Sequence, residues 1–433
     1  MVNLFWFHRD LRTADHPALV AAGTEVAPVV LQSALDGLEG ERRNSLVASW
    51  HSLNEKLDGQ LTVVADLVKA AKDLGVEAVF TSRRFDPDGI AEQQAAEQAL
   101  AAHGIRLVVG PGNYAVSPGQ VAKPDGTPYR VYTPFFKAWS AIGWSKPVPR
   151  LAGVNWQSAG GSALPEYRAI KVGEDFALRT FERFKKRALL GYNEDRNRAD
   201  LSGTSHLSHA LAHGEVHPRT LLAELGDSPG EVTFMKELAW REFYADVLFH
   251  NPHTVSEYYE PRFAKLRYDF DEAKFEAWKF GQTGYPMVDA GMRQLLTTGW
   301  MHNRVRMIVA SFLVKDLHIE WQHGADWFEK HLTDFDVASN SHGWQWTAGC
   351  GTDASPYYRV FNPVMQGYKF DPEGNYVRKF IPELRNIPGP EVHEPWLLLS
   401  SLSEGYPAPI VDHALERVEA LARLEELKNR EVQ

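Results

Sequence analysis

Residues 284–316 read GYPMVDAGMRQLLTTGWMHNRVRMIVASFLVKD, and residues 334–363 read DFDVASNSHGWQWTAGCGTDASPYYRVFNP. Apolar side chains recur there every three or four positions, the period of an amphipathic helix. Arg, Asn, Asp and Trp nevertheless stand where an ordinary bundle helix carries Leu and Ala. Buried polar groups are costly unless paired, so the mixture predicts helices that enclose a polar cofactor or substrate. Arg306 and Met307 lie three and four residues beyond Asn303, so all three share about one helix face, and Glu237, Trp240 and Tyr244 repeat the spacing upstream. Two core helices with internally satisfied polar groups would show the same periodicity.

From about residue 175 onward the pattern stays helical, with amphipathic runs at 175–190, 232–248, 287–297, 303–317 and 413–430. The preceding chain differs. Short apolar runs at 4–7, 26–31, 77–81 and 105–109 alternate with helical segments at 44–57, 61–74 and 89–103, and such alternation builds a parallel sheet covered on both faces. The turn after the first strand, HRDLRTADHP, contains no glycine, so it carries neither a dinucleotide fingerprint nor a P-loop. Between 110 and 174, Gly, Pro and Ser accumulate, as in VGPGNYAVSPG and LAGVNWQSAGGSALP, and the composition marks a connector on the surface. The expected fold is α/β plus all-α: a doubly wound domain over 1–130, a connector over 131–174 and a helical domain over 175–433.

A chain of 433 residues exceeds one ordinary core. With 44% hydrophobic and 24% charged residues, extensive disorder is excluded. A net charge of −10 argues against a general nucleic-acid coat and leaves room only for a confined basic patch. Cys350 is the one cysteine, so no intrachain disulfide forms. The opening MVNLFWFHRDLR reads as a strand, not a secretory signal, and no run approaches the ~20 apolar residues of a spanning helix. A cytoplasmic monomer is expected. The 17 histidines form no recognisable ligand constellation, and no metal is expected. The 13 tryptophans suit core filling or stacking on planar ligands.

Five long segments in one order carry a resemblance: WFHRDLRTADHPAL (6–19), GTSHLSHALAHGEVHPR (203–219), ELAWREFYADVLFHNP (237–252), GQTGYPMVDAGMRQLLTTGWMHNRVRMIVASFLVKDLHIEW (281–321) and the 334–363 stretch. Over almost its full length the chain resembles the photolyase and cryptochrome family, most closely the bacterial class I cyclobutane pyrimidine dimer photolyases. The resemblance implies light-driven repair of pyrimidine dimers in DNA by electron transfer from photoexcited reduced FAD. It assigns flavin contact to Tyr192, Thr204, Ser205, Leu207, Ser208, Arg306, Asp334, Asp336 and Asn340. Plant-type cryptochromes, the alternative reading, carry Asp where Asn340 stands, and an amide cannot easily give a proton to the flavin. The dimer is assigned to an aromatic wedge of Trp240 and Trp346, with Glu237, Asn303, Arg304 and Met307 completing the pocket. Arg304 and Arg359 are matched to DNA phosphates, whereas Lys185, Lys186 and Arg187 read as a solvated helix face. His302 reads as structural.

Trp344 and Trp321 match the two inner members of the family's electron-transfer chain. The outer tryptophan is replaced by Tyr268, and Trp278 matches a different family position. The first domain departs too: residues 59–67 are shortened, and SRRFDPDGIAEQQ (82–94) lacks the Asn–Glu pair of folate-binding members. A deazaflavin, a flavin or no antenna stays open there, with folate disfavoured.

Overall fold

The computed structural model describes residues 2–353, 358–398 and 403–432; four residues of the 334–363 motif, Ala354 to Tyr357, lie outside it. The chain divides into two compact units, one of Met1–Leu190 with Ser205–Pro252, the other of Gly191–Thr204 with His253–Gln433.

The first unit is built on parallel strands: β1 (Asn3–Trp6), β2 (Glu25–Leu31), β3 (Thr62–Val64), β4 (Ala78–Ser82), β5 (Arg106–Gly110) and β6 (Asn155–Trp156). Their order is β3-β2-β1-β4-β5, with β6 paired to the start of β2. Successive side chains of a strand point to opposite faces. Leu4 and Trp6 therefore join Ala27, Val29 and Val79 in one core, while Phe5 and Phe7 join Val26, Val30 and Trp50 in another. Two buried faces are what a doubly wound sheet requires.

Its principal helices are α1 (Gly40–Lys56), α2 (Leu67–Asp73), α3 (Pro87–Ala101), α4 (Tyr132–Ile142), α5 (Glu174–Arg187) and α6 (Pro229–His250). Their starts follow local rules. Asp66 and Asp86 accept from the Lys69 and Gly89 amides as N-caps, and α6 opens on a capping box of Ser228 and Glu231 with Pro229 at its first position.

Two expectations need correcting. The segment 61–74 is not one helix, because Thr62–Val64 pairs with β2 before Asp66 starts α2. The 131–174 connector is not confined to the surface. It supplies β6 to the sheet, and α4 buries Phe135 and Trp139. Glu242 of α6 secures that helix: its Oε2 accepts from the Trp139 indole at 2.6 Å and from the Val116 amide at 3.0 Å. Burial pushes this carboxyl up to about 7, against the hydrogen bonds that lower it.

The order reverses between β1 and β4, and their carboxyl ends form the switch point where ligands of such sheets usually sit. A closed polar set occupies it. His8 Nε2 meets the Ser82 carbonyl at 2.8 Å, the Gln93 amide donates to the same carbonyl at 2.6 Å, and Arg84 pairs with Asp86 and Glu92.

The second unit is helical. Its principal helices are α7 (Glu272–Lys279), α8 (Pro286–Thr298), α9 (Asn303–Lys315), α10 (Trp321–His331), α11 (Val337–Ala348) and α12 (His413–Val432). α9 packs against α8, α10 and α11, and its Val305, Ile308, Val309, Phe312 and Leu313 are buried in a core shared with them.

Candidate functional site

α9 begins at a histidine. His302 is the N-cap, its Nδ1 accepting from the Arg304 amide at 3.1 Å. The cap anchors a first turn carrying Asn303, which is exposed, and Arg304, Arg306 and Met307, which are half-buried. Arg306 donates through Nε to the Met301 carbonyl at 2.8 Å and through Nη2 to Asp334 Oδ2 at 2.7 Å. The Asp334 side chain is 1% exposed, and its Oδ1 has no partner among the described residues. Leaving a buried acceptor unsatisfied costs about 1–3 kcal/mol, more for a charged one. That oxygen suits a donor brought by a bound molecule: a sugar hydroxyl, an adenine amino group or an N–H on a flavin edge. The donor set thus fits FAD.

Asp336 is engaged differently. It caps α11, its Oδ1 accepting from the Ser339 amide at 2.8 Å. Four residues on, the Asn340 amide donates to the Ala325 carbonyl of α10 at 3.1 Å, which holds its rotamer. After four more comes Trp344, so Asp336, Asn340 and Trp344 follow one helix face. Trp344 is buried edge-on to Trp278 of α7 at 6.1 Å and to Phe328 of α10 at 5.0 Å between ring centres. The packing depends on Gly324, where a Cβ would lie 2.2 Å from the Trp344 ring. Trp346, two residues on, is half-buried.

Trp321, at the start of α10, is fully buried against Tyr258 at 6.2 Å. Tyr268 stacks on Tyr258 at 6.3 Å, so the structure interposes a tyrosine that sequence reasoning missed. In the same unit Tyr192 is buried beneath the Arg196 guanidinium, and Thr204 is half-buried. Arg304 spends Nε and Nη2 on Asn197 Oδ1, at 3.2 and 2.9 Å, and lies over the Phe370 ring. Arg359 is exposed; its carbonyl accepts from Lys315 at 2.5 Å, and burial brings that ammonium down to about 7.

The first unit holds the remaining candidates. Ser205 is half-buried, its hydroxyl accepting from the Leu207 amide at 3.4 Å, while Leu207 is buried and Ser208 opens a short helix. Glu237 and Trp240 are half-buried on α6, where Trp240 meets Tyr244 at 5.4 Å. One face of its indole is covered by Tyr132 of α4, with ring centres 3.7 Å apart. Tyr132, Phe135, Phe136 and Trp139 have helical spacing, the signal that could have found α4. Lys185 pairs with Glu182 and Glu224, as a solvated helix face would. Among the described residues, no group of three or more His, Cys, Asp or Glu side chains is placed to hold a metal ion.

Residues 3–152 match the family model described as DNA photolyase, and residues 234–426 match the FAD binding domain of DNA photolyase. A deoxyribodipyrimidine photo-lyase of Alkalihalophilus pseudofirmus is 37% identical, with 96% of each chain covered. Among solved structures, a bacterial class III photolyase from Agrobacterium tumefaciens superposes with a TM-score of 0.87 at 36% identity, covering 99% of this chain and 98% of that one. An archaeal photolyase from Sulfolobus tokodaii with two FAD molecules gives 0.87 at 27% identity, over 98% of this chain and 100% of that one.

Proposed function

The chain belongs to the DNA photolyase family, and from that premise we propose how its residues divide the work of repairing pyrimidine dimers in DNA. The activity is that of a light-dependent DNA repair enzyme, a deoxyribodipyrimidine photo-lyase, with FAD as cofactor. When bound and reduced, FAD supplies a photoexcited electron to the dimer and recovers it once the ring has opened, so no nucleophile or metal is called for.

The observation that carries the cofactor assignment is the buried Asp334 carboxylate, one oxygen held by Arg306 and the other suited to an external donor. Asp336 offers FAD the oxygen its cap leaves over. Tyr192, Thr204, Ser205, Leu207 and Ser208 complete the cofactor contacts. Asn340, an amide, would face the flavin edge and has no acidic proton to give, which would favour the reduced anion that repair needs.

On the substrate side, Trp240 and Trp346 each offer an aromatic face to a base extruded from the duplex. In its protonated form Glu237 donates a hydrogen bond to the dimer's carbonyls and stabilises the negative charge developing there. Asn303 and Met307 contact the dimer, and Arg304 and Arg359 meet phosphates. Trp344, Trp321 and Tyr268 carry electrons inward to reduce oxidised flavin.

A second chromophore, a flavin or deazaflavin in preference to folate, belongs to the first unit; the two-FAD archaeal relative and the missing Asn–Glu pair support this. The protein works as a cytoplasmic monomer. No helix among the described residues is long and apolar enough to cross a membrane.

The test is to photoreduce the protein, add an oligonucleotide with one thymine dimer, illuminate and follow the thymine absorbance band. Recovery in light but not in darkness is expected. No recovery with reduced flavin bound would overturn the reading.

A further inference from the structure

We propose that Tyr258 is a redox relay between Trp321 and Tyr268, and that Glu320 takes up the phenolic proton when Tyr258 is oxidised. The inference rests on Trp344 and Trp321 being the route by which electrons reach oxidised flavin.

Three observations converge on Tyr258. Its ring meets the Trp321 indole edge-on at 6.2 Å on one side. On another, Tyr268 stacks on it at 6.3 Å with planes 22° apart. Its hydroxyl donates to Glu320 Oε1 at 2.9 Å. Glu320 immediately precedes Trp321 as the N-cap residue of α10, so one helix start presents both the electron acceptor and the proton acceptor.

Trp321 has no such base. Its indole nitrogen is buried without a hydrogen-bond partner among the described residues. An oxidised Trp321 therefore keeps its proton and stays a strongly oxidising cation. Burial raises the Tyr258 phenol far above its ordinary range, so it is neutral at rest and must lose a proton when it loses an electron.

The step balances. One electron passes from Tyr258 to the Trp321 radical cation, and the Tyr258 proton passes to Glu320. This leaves a neutral indole, a neutral tyrosyl radical and a protonated carboxyl. Tyr268, half-exposed and interacting with the Tyr258 hydroxyl, then gives an electron and its phenolic proton to restore Tyr258. A small thiol in solution supplies the hydrogen atom that resets Tyr268, and Glu320 returns its proton to water.

Gln345 holds the relay in place. Buried on α11 beside Trp344, it accepts from the Tyr259 amide at 2.7 Å and donates to the carbonyls of Thr254 and Glu257 at 3.0 and 3.2 Å. The loop bearing Tyr258 is thereby pinned to the helix that bears Trp344.

The experiment is flash photolysis of the full-length protein with FAD bound and oxidised, in light and heavy water. In the parent, a neutral tyrosyl radical should replace the tryptophan radical, more slowly in heavy water. Y258F should lose the tyrosyl radical and retain the tryptophan cation. E320Q keeps the phenol but should lose both the radical and the isotope effect. Bound FAD per chain, unchanged in both variants, shows that each has folded. Parent-like tyrosyl yield in Y258F overturns the relay, and a parent-like isotope effect in E320Q overturns the proton acceptor. W321F separates the underlying reading: if it still forms the tyrosyl radical, the tryptophan route itself is wrong.

Discussion

The Tyr132 ring lies flat on the Trp240 indole, centres 3.7 Å apart and planes 8° from parallel, and its hydroxyl donates to the Lys236 carbonyl at 2.6 Å. The phenol thus backs one face of the indole, the ring proposed above to receive an extruded base. Replacing Tyr132 by Leu should weaken binding of dimer-containing DNA by up to about tenfold, since an aromatic pair is worth about 0.5–1.5 kcal/mol. Y132F, which keeps the stack, should restore most of it. Titration with a dimer oligonucleotide checks this, and equal affinity in Y132L and the parent would remove Tyr132 from any positioning role.

Asp334→Asn should lower FAD retention. The Arg306 side chain is 25% exposed, so breaking its pair with Asp334 belongs at the low end for such pairs, on the order of 2 kcal/mol. The amide also turns one acceptor oxygen into a donor. Flavin absorbance per chain after gel filtration is the measurement. Undiminished flavin in D334N would detach this carboxylate from the cofactor.

Gly324→Ala should displace the Trp344 ring, because the added Cβ would also lie 2.6 Å from Leu313, and both neighbours are buried. Overpacking of this kind costs about 1–3 kcal/mol. The melting temperature should fall, and photoreduction of oxidised flavin should slow more than repair by chemically reduced protein does. If both rates fall in parallel, the glycine serves packing alone.

His8 should make the first unit acid-sensitive. Its Nδ1 accepts from the Arg9 amide at 2.7 Å, so the hydrogen sits on Nε2, facing the Ser82 carbonyl, and the ring is neutral. Burial lowers its pKa from 6.5 to about 4. As pH falls, the unfolded chain gains the proton first. The contribution is therefore complete above 6.5 and is lost down to about 4, by up to about 3 kcal/mol. Urea midpoints at several pH values check the slope, and His8→Asn should flatten it. An unchanged slope in H8N would place the acid sensitivity elsewhere.

Much of the frame was legible locally. Strands at 4–7, 26–31, 77–81 and 105–109 recur within about a residue or two, as do the helices that became α8 and α9, while α6 starts three residues before its expected run. Thr62–Val64 was missed because three residues give no period of their own, and only pairing with β2 makes them a strand. The 131–174 segment was misread because Gly, Pro and Ser recur along it, while the four aromatics of α4 sit at helical spacing within it.

Among the site residues, spacing along the chain decided what shares a helix face: Asp336, Asn340 and Trp344 fall four apart, and Asn303, Arg306 and Met307 fall on one turn. Helical periodicity and motif identity are properties of neighbours in sequence, so the sequence by itself determined long periodic helices such as α8 and α9, the cofactor class and the chemistry. The tertiary structure alone decided what stands behind those faces. Tyr132 is 108 residues from Trp240, and Tyr258 is 63 from Trp321. No local rule joins such pairs, because side chains so far apart meet only when the packed core fixes their separation.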